Sequence, residues 1–501
     1  MTISHSLVSL SLVIASYFSQ SSATVIRRDD GVPSIRSELG PVLSPEAIIV
    51  DSERGNLTEA TKRWQVFASP SFDYVVQVAN ENDIVETVKY ANRYSIPFLV
   101  VNAGHGEIKS LGGLKKGLQI TVRSLKKITV HDNNTATIGG GASNLDITTE
   151  LWKANKQTVS GTCECVGFLG PLLGGGHGFL QGYHGLAADQ LISARVVLAN
   201  GTIVTASDTS NPKLFWALRG AGHNFGIVTE ATVKIYDVPK DDIWYYENFI
   251  YQGDSIEAVF GQLNKIKRDT PVQFEHYAVF GRLPQIDPVN ALVFFSILYN
   301  GPASAADKWV APFRQFSPID IQNGTATYPQ LSGITGNGIN DAICQHENLN
   351  RIRYPIYLDR FDPGAGKATF DYFNKTISDH PGLAGSLMLF EGLSTQAVKS
   401  VRLDSTAIPH RDYFVLSSPV VTYAPDASLD AIAEDFGRNL RMTLHNASKA
   451  EKMHTYVNYA VGEESLENIY GYNSWRVHDL KKHKRAYDPQ DRFRWYAPIG
   501  V

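Results

Sequence analysis

The chain has 501 residues, of which 43% are apolar, and its 46 basic side chains nearly balance its 50 acidic ones. This apolar content excludes a disordered chain, and the length predicts about two to four domains. The balanced charge offers no electrostatic footprint for nucleic acid, and three cysteines cannot form a disulfide framework.

The first 23 residues have the pattern of a signal peptide. Leu7 to Ala15 is apolar, and Ser21-Ser22-Ala23 provides small residues for cleavage. The segment lacks a Lys or Arg before the apolar stretch, so a plain N-terminal tail is the alternative. We expect secretion, with residues 24–60 as an extension. No later apolar run predicts a membrane anchor. Six glycosylation sequons fit this route: Asn56, Asn133, Asn200, Asn323, Asn374 and Asn446.

Residues 61–240 alternate between strand and helix patterns. Tyr74–Val78 predicts a strand, and a helix capped by Asn82 and Asp83 follows. Pro97–Val101 predicts a buried strand that ends in the loop 102–106. Further predictions are strands at Leu118–Val122, Ile128–Val130 and Thr137–Ile138, and a helix at Asn144–Asn155.

Glycines are densest between Thr158 and Thr229, as in Gly174-Gly175-Gly176-His177-Gly178. Glycine-rich turns let the backbone approach an anion closely, and two of them could hold a diphosphate. The run does not open a Rossmann unit, and turns that pack without a ligand are the alternative. Asn200-Gly201 predicts a hairpin turn.

After Val238 the pattern predicts an antiparallel sheet with helices on one face. Strands are predicted at Gln273–Phe280 and Ala291–Leu298, and helices at Ser304–Val310 and Gly366–Ser378. The last residues carry two further dense motifs, Tyr456-Val457-Asn458-Tyr459 and Tyr487-Asp488-Pro489.

Taken together, these motifs resemble the berberine-bridge-enzyme-like flavoproteins of the vanillyl-alcohol-oxidase superfamily. Their amino-acid sequences are most similar to those of secreted fungal members. The resemblance implies an α+β fold, with a two-lobed FAD-binding domain of the PCMH type at residues 61–240. It also implies an antiparallel-sheet substrate domain with helices on one face at residues 241–450. Residues 451–501 would then return to the FAD domain.

The resemblance implies two covalent bonds to FAD. His105 matches the histidine that binds the flavin 8α-methyl, although a lone His is more often a simple hydrogen-bonding residue. Cys163 matches the cysteine that binds flavin C6, and its alternative is a small buried hydrophobe. Cys165 and Cys344 would remain to form one disulfide. A zinc site that adds His177 and His184 to the cysteines fails on spacing, so we expect no metal.

The same resemblance assigns a set of cofactor-binding residues. Besides His105 and Cys163, they are Val101, Asn102, Ala103, Gly104, Gly106, Val166, Gly167, Gly170, Leu173, Gly174, Gly175, Gly176, His177, Gly178, Gly226, Ile227, Val228 and Asn458. Val166 matches a position where valine accompanies reaction with dioxygen.

Tyr456 or Tyr459 is the predicted proton acceptor, if a neighbour lowers its pKa. His184 replaces a catalytic tyrosine of relatives and is a second candidate base, or an unengaged surface histidine. Relatives often carry a Glu or Gln base on the strand after Pro409-His410-Arg411, but Val415-Leu416-Ser417 has no carboxylate. Asp189 is expected to anchor a turn.

The prediction is a secreted, monomeric FAD oxidase that takes hydride from a hydroxyl- or amine-bearing small molecule and releases H2O2. Oxidation would suit specialised metabolism and could trigger ring closure. A carbohydrate oxidase and a flavin-free binding glycoprotein are the alternatives. We expect neither nucleic acid nor a membrane as a partner.

Overall fold

The computed structural model describes residues 34–501, so the predicted signal peptide lies outside the described residues. The strands are β1 Ile48–Asp51, β2 Phe72–Gln77, β3 Phe98–Val101, β4 Gly117–Thr121, β5 Ile128–His131, β6 Thr135–Gly139, β7 Lys156–Gln157, β8 Leu191–Val197, β9 Ile203–Ser207, β10 Ile227–Lys234, β11 Tyr236–Asp237, β12 Trp244–Tyr251, β13 Phe274–Arg282, β14 Ala291–Asn300, β15 Asp320–Ala326, β16 Asn350–Arg353, β17 Ile356–Leu358, β18 Leu387–Gly392 and β19 Val415–Tyr423.

The helices are α1 Ile35–Glu38, α2 Leu57–Ala60, α3 Glu81–Arg93, α4 Asn144–Lys153, α5 Leu169–Leu173, α6 Gln181–His184, α7 Pro212–Ala221, α8 Ile256–Ile266, α9 Ala303–Arg314, α10 Leu331–Ile334, α11 Pro363–Asp379, α12 Gln396–Ser400, α13 Ala427–Ser448, α14 Leu466–Tyr470 and α15 Ser474–Tyr487. In residues 34–501, no helix is both long and apolar enough to span a bilayer.

The first sheet has four strands in the order β1-β2-β4-β3, and β4 runs parallel to both β2 and β3. Its edge strand β1 comes from the predicted N-terminal extension. The helix α3 begins two residues earlier than expected, because Asn80 and not Asn82 is its N-cap. The Asn80 side chain accepts from the Asp83 amide, and the Asp83 carboxylate accepts from the Asn80 amide, which forms a capping box.

The second sheet has five antiparallel strands in the order β5-β6-β10-β8-β9. As predicted, β8 and β9 form a hairpin whose turn is Asn200-Gly201. Gly201 has a φ of +83°, a conformation that side chains other than glycine adopt rarely. The loops that leave these two sheets on one side form the walls of a cleft.

The third sheet is antiparallel, in the order β15-β12-β14-β13-β18-β19-β16, with β17 on β19. One face packs against α8, α11 and α13 through an aromatic cluster. Phe260 on α8, for example, contacts Phe280 and Phe390 at ring-centroid distances of 6.4 and 5.0 Å. The other face turns toward the first two sheets, as an antiparallel sheet with helices on one face requires.

The C-terminal segment packs back on the first half of the chain. On α15, the ammonium of Lys484 is fully buried and donates to the Asn224 carbonyl at 2.9 Å. The Asp488 carboxylate accepts from the same ammonium at 2.6 Å. Arg492 donates to the Ile96 carbonyl at 2.7 Å. These contacts hold Tyr456, Asn458 and Tyr496 against the cleft.

Candidate active site

Two adjoining cavities border the loops of the first two sheets, and the larger one also borders the third sheet. The larger has a volume of about 490 Å³ and the smaller about 260 Å³. His105, Val166, Pro171 and Asn458 line both, so the two spaces meet at these residues. The larger cavity continues over the free face of the third sheet, and the smaller runs among the loops of the first two sheets.

The loop Asn102–Gly106 follows β3 and forms one wall of the smaller cavity. Gly104 has a φ of +80°. The Asn102 amide donates to the carbonyl oxygens of Gly140 and Ala142 at 3.3 and 3.2 Å, which ties this loop to the second sheet. Arg63 donates to the Gly106 carbonyl at 2.7 Å. These side-chain hydrogen bonds fix the position of the loop.

His105 projects from this loop into both cavities. Its ring stacks on Trp64 at 5.5 Å, and the His346 ring lies 5.6 Å away. Burial, assisted by nearby His346 and Arg351, lowers the pKa of His105 to about 3. Its Nε2 is buried and has no protein hydrogen-bond partner. At neutral pH the ring is therefore an uncharged nucleophile in the wall of both cavities.

Cys163 lies on the loop between β7 and α5, across the cavity wall. The Asn144 side chain holds this loop, because its amide donates to the Cys163 carbonyl at 2.9 Å and its oxygen accepts from Gly161 at 3.2 Å. Cys165 and Cys344 form a disulfide, which confirms the predicted pairing and leaves Cys163 as the free thiol. Burial raises the pKa of Cys163 to about 11.

The three sulfurs form one cluster. The Cys163 sulfur lies 3.5 Å from that of Cys165 and 3.7 Å from that of Cys344. Because it is nearly equidistant from the two bonded sulfurs, it faces the side of the disulfide and not the end, whereas thiol–disulfide exchange is an attack along the bond axis. His177 and His184 both lie apart from this cluster, each among other aromatic rings.

The glycine run 174–178 packs closely against neighbouring parts of the chain. Gly174, Gly175, Gly176 and Gly178 do not line either cavity. A Cβ at Gly174 would lie 2.1 Å from Asn458 Oδ1, and one at Gly178 would lie 1.9 Å from the Ser160 carbonyl oxygen. Their lack of side chains allows this close packing, and their contact with the cofactor stays a prediction.

His177, in contrast, lines the larger cavity and belongs to a buried network. Gln181 donates to the Ser394 carbonyl at 3.0 Å, which orients its amide oxygen toward His177 Nδ1 at 2.8 Å. Nδ1 therefore carries the proton, and Nε2 accepts from the Tyr357 hydroxyl at 2.8 Å. Burial lowers the pKa of His177 to about 4, so the ring is neutral.

His184 does not reach the cavity. Its ring stacks on Tyr236 at a centroid distance of 3.5 Å, on the far side of α6. The backbone of α6 turns toward Asp189, which accepts from the Leu186 amide at 2.8 Å and pairs with buried Arg411 at 2.8 Å. Asp189 thus anchors a turn, as predicted, and also joins the two halves of the chain. His184 therefore lines neither of the two cavities, and its role as a base stays a prediction.

A group of charged and phenolic side chains lines the larger cavity opposite His105. The Tyr459 hydroxyl lies 3.5 Å from Glu391 Oε1, and the Arg353 guanidinium lies 3.9 Å from the Tyr459 ring centroid. Arg353 also pairs with Glu107 at 3.0 Å. Burial raises the pKa of Glu391 against the opposing effect of Arg353, and it raises the pKa of Glu107 to about 7.

Sequence reasoning missed Glu391, Arg353 and Glu107. Glu391 lies on β18, directly opposite Leu416 of β19, so it occupies the place next to the strand where a carboxylate was missing. The available signal was a charged residue inside the apolar strand Leu387-Met388-Leu389-Phe390-Glu391. Burying a charged side chain in a strand costs free energy unless another group pairs with it.

The residues around these cavities fit FAD. The predicted residues that line the smaller cavity are Val101, Asn102, Ala103, Gly104, His105, Gly106, Val166, Gly167, Gly170, Leu173, Gly226, Ile227, Val228 and Asn458. A Cβ at Gly170 would meet no atom within 4 Å, so this backbone borders open space. The unpartnered His105 Nε2 supplies the reactive end of the same space.

Comparisons with known proteins agree with this site. Residues 72–207 match the family model described as an FAD binding domain. The chain is 38% identical over 469 residues to the FAD-linked oxidoreductase anuG of Penicillium roqueforti, which covers 93% of this chain and 92% of that protein. It is 36% identical to the FAD-linked oxidoreductase chry5 of Gibberella zeae, over 96% of this chain and 97% of that protein.

Solved structures share the fold at lower identity. Glucooligosaccharide oxidase from Acremonium strictum superposes with a TM-score of 0.80 at 22% identity, covering 93% of this chain and 99% of that one. The berberine-bridge-enzyme-like protein 1 of Physcomitrella patens gives a TM-score of 0.77 at 20% identity, covering 92% and 98%.

Fold and site together define an FAD-binding oxidoreductase of α+β architecture, as predicted from the sequence. The chain belongs to the fungal FAD-linked oxidoreductases and carries their FAD binding domain. This membership makes the protein an enzyme and removes the flavin-free binding glycoprotein as an alternative.

Proposed function

We propose that the protein is an oxidase that takes hydride from a hydroxyl- or amine-bearing small molecule and passes the electrons to dioxygen, releasing H2O2. Oxidative ring closure of a specialised metabolite is compatible with such a step. One observation carries the proposal: the two nucleophiles His105 and Cys163 line the same cavity as Tyr459 and Glu391. The bound FAD supplies the hydride acceptor.

We further propose that FAD is attached through both His105 and Cys163. The neutral ring nitrogen and the free thiol are the two side chains on this wall that can form such bonds. Each bond replaces one hydrogen of the side chain and one of the flavin, so two electrons and two protons leave per bond, and dioxygen accepts them. In support, the Acremonium strictum oxidase is described as carrying a 6-S-cysteinyl, 8α-N1-histidyl FAD.

Tyr459 with Glu391 is the proposed proton acceptor. The Tyr456 oxygen already accepts hydrogen bonds from the Gly176 amide at 3.0 Å and from Asn458 at 2.6 Å, so the protein itself engages this oxygen. The Glu391 Oε2 atom, in contrast, has no protein partner. A substrate hydroxyl or amine between Tyr459 and Glu391 can pass its proton to the carboxylate as the hydride leaves.

Val166 supports the use of dioxygen, because this small side chain lines both cavities and leaves room for the gas where they meet. A carbohydrate oxidase remains the nearest alternative in substrate class.

The test begins with colour and mass. Purified protein denatured in acid should stay yellow, and peptides containing His105 and Cys163 should be joined by one FAD, with a total mass four hydrogens below the sum of the free peptides and FAD. His105→Ala and Cys163→Ala should each leave a single link. Peroxide release is then measured on a panel of alcohols, amines and sugars. Colourless denatured protein would refute attachment, and turnover without peroxide would refute the oxidase.

Secretion, glycosylation and a monomeric state are proposed on separate grounds. The Cys165–Cys344 disulfide suits an oxidising compartment. Five sequon asparagines are exposed (Asn56, Asn133, Asn200, Asn323 and Asn446), whereas the Asn374 side chain is half-buried and hydrogen-bonded on both sides. Glycan release from protein in the culture medium, with the native mass in solution, checks all three. Intracellular, unglycosylated protein would refute the route.

A further inference from the structure

The third sheet presents a row of polar side chains to the larger cavity. Asn248 on β12 is directly opposite Ser296 on β14, and Ser296 is opposite Tyr277 on β13. Tyr277 is opposite Glu391 on β18. All four line the cavity, and exposed Gln322 on β15 extends the row at its solvent end. The row therefore leads from solvent to the proposed proton acceptor.

A parallel row beside it is apolar. Side chains two residues apart on a strand share a face, and the positions two along from the polar row also line the cavity. Ile250 is opposite Phe294, Phe294 is opposite Val279, and Val279 is opposite Leu389. One wall of the cavity thus carries a polar stripe and an apolar stripe side by side.

The polar row contains buried atoms without protein partners. Asn248 Oδ1, Tyr277 Oη and Glu391 Oε2 are all buried and accept or donate no hydrogen bond within the protein. Most buried polar atoms in proteins are hydrogen-bonded, and leaving one unpaired is costly. Three such atoms in one row on a cavity wall point to a ligand that pairs with them.

We infer that Asn248, Ser296, Tyr277 and Glu391 form a linear recognition stripe for an elongated amphipathic substrate. That substrate has hydroxyl, carbonyl or amine groups along one edge and a hydrocarbon or fused-ring edge along the other. The inference rests on the proposed function, because Glu391 marks the reacting end. Three strand spacings of about 4.8 Å place Asn248 on the order of 14 Å from Glu391.

This stripe disfavours carbohydrates. An oligosaccharide carries hydroxyl groups on every edge, so some of them would lie unpaired against Ile250, Phe294, Val279 and Leu389. A molecule with one apolar edge instead removes that row from water. Asn248 and Tyr277 are therefore specificity-determining residues, remote from the reacting atoms.

The experiment measures binding to the holoenzyme by isothermal titration calorimetry. The probes are 1,10-decanediol, whose extended length matches the Asn248–Glu391 span, 1,6-hexanediol, decan-1-ol and cellotriose. We expect 1,10-decanediol to bind most tightly. Asn248→Ala should weaken its binding about three- to tenfold, the effect of one hydrogen bond, and leave 1,6-hexanediol unchanged. Tyr277→Phe, which keeps the packing, should weaken both diols.

The matched control is Asn439→Ala, the same change on the exposed side of α13, and it should alter no affinity. Equal affinity of 1,10-decanediol for the parent and Asn248→Ala, or tighter binding of cellotriose, would overturn the stripe. Because the readout is binding, the two proposals fail separately. Diol binding with this dependence but without peroxide from any substrate refutes only the oxidase. Peroxide from substrates whose binding ignores Asn248 refutes only the stripe.

Discussion

The phenol oxygen of Tyr456 accepts a hydrogen bond of 3.0 Å from the backbone amide of Gly176, 280 residues earlier in the chain. Asn458 donates to the same oxygen at 2.6 Å and to the Pro171 carbonyl at 2.8 Å. The C-terminal Tyr-x-Asn motif and the glycine run are therefore one structural unit. Through the Pro171 carbonyl, the motif also holds a residue that lines both cavities.

Tyr456→Phe should lower the stability of the protein as well as the rate of its reaction. The substitution leaves the buried Gly176 amide unpaired, which costs about 1–3 kcal/mol in the free energy of unfolding. Thermal unfolding monitored by circular dichroism measures the loss.

Tyr459→Phe is the matched control for that change. The Tyr459 hydroxyl lies 3.5 Å from Glu391 and holds no backbone amide, so its removal should alter stability less and lower kcat. Equal melting temperatures for the two variants would contradict the assigned difference in roles.

Glu391→Gln should remove the acid limb of the pH–rate profile. Burial raises the pKa of Glu391 above its usual value, so the carboxylate ionises, and kcat/KM rises, as pH increases through that raised value. Glutamine keeps the shape but cannot accept a proton, and we expect a loss of about 10²–10⁴-fold with a flat profile. Glu257→Gln, exposed on α8, is the control. An unchanged acid limb would assign the proton to another group.

The two flavin bonds should form with different pH dependence. The pKa of His105 is lowered to about 3, so its ring is neutral at both pH 6 and pH 9. The pKa of Cys163 is raised to about 11 by burial, so its reactive thiolate increases about tenfold for each pH unit below that value. Apoprotein incubated with FAD should gain the His105 bond equally at both pH values and the Cys163 bond faster at pH 9.

Peptide mass spectrometry over time distinguishes the two bonds, and Cys163→Ser supplies the trace for His105 alone. If the Cys163 bond forms at one rate at both pH values, its thiol is not deprotonated in the rate-limiting step.

Lys484→Met should destabilise the packing of the C-terminal segment, residues 451–501, on the first half of the chain. The ammonium is fully buried and pairs with Asp488 at 2.6 Å and Asp491 at 2.9 Å. Its removal leaves the buried Asp488 carboxylate with the Arg492 and Phe493 amides but without its cation, which costs about 3–5 kcal/mol. Urea unfolding of this variant against Lys482→Met, an exposed neighbour on α15, gives the difference. Equal midpoints would show that the pair contributes no net stability.

Local patterns carried much of the fold. The helix over Ile84, Val85 and Val88 and the Asn200-Gly201 hairpin follow from periodicity and turn chemistry, which depend on neighbours in sequence. The cap of α3 moved from Asn82 to Asn80, because the choice between nearby capping residues depends on which one completes a box with Asp83.

The predicted site residues also divide into those that lie at the cavity and those that do not. His105 and Cys163 stand in motifs whose spacing is readable along the chain, and the structure brings them to one cavity. His184 stands in such a motif too, but α6 turns its ring toward Tyr236 and away from the cavity. A motif defines which residues are close in sequence, but it does not determine the direction of their side chains in the folded chain.

By itself, the sequence determined the class of protein, the free thiol and the imidazole, because these depend on residue types at short spacings. Only the tertiary structure decided that Glu391 supplies the missing carboxylate, and that the glycine run supports Tyr456 and does not border the cavity. The physical reason is register: cross-strand neighbours such as Tyr277 and Glu391 are 114 residues apart in the chain. Hydrogen bonding between strands, and not local pattern, puts them side by side.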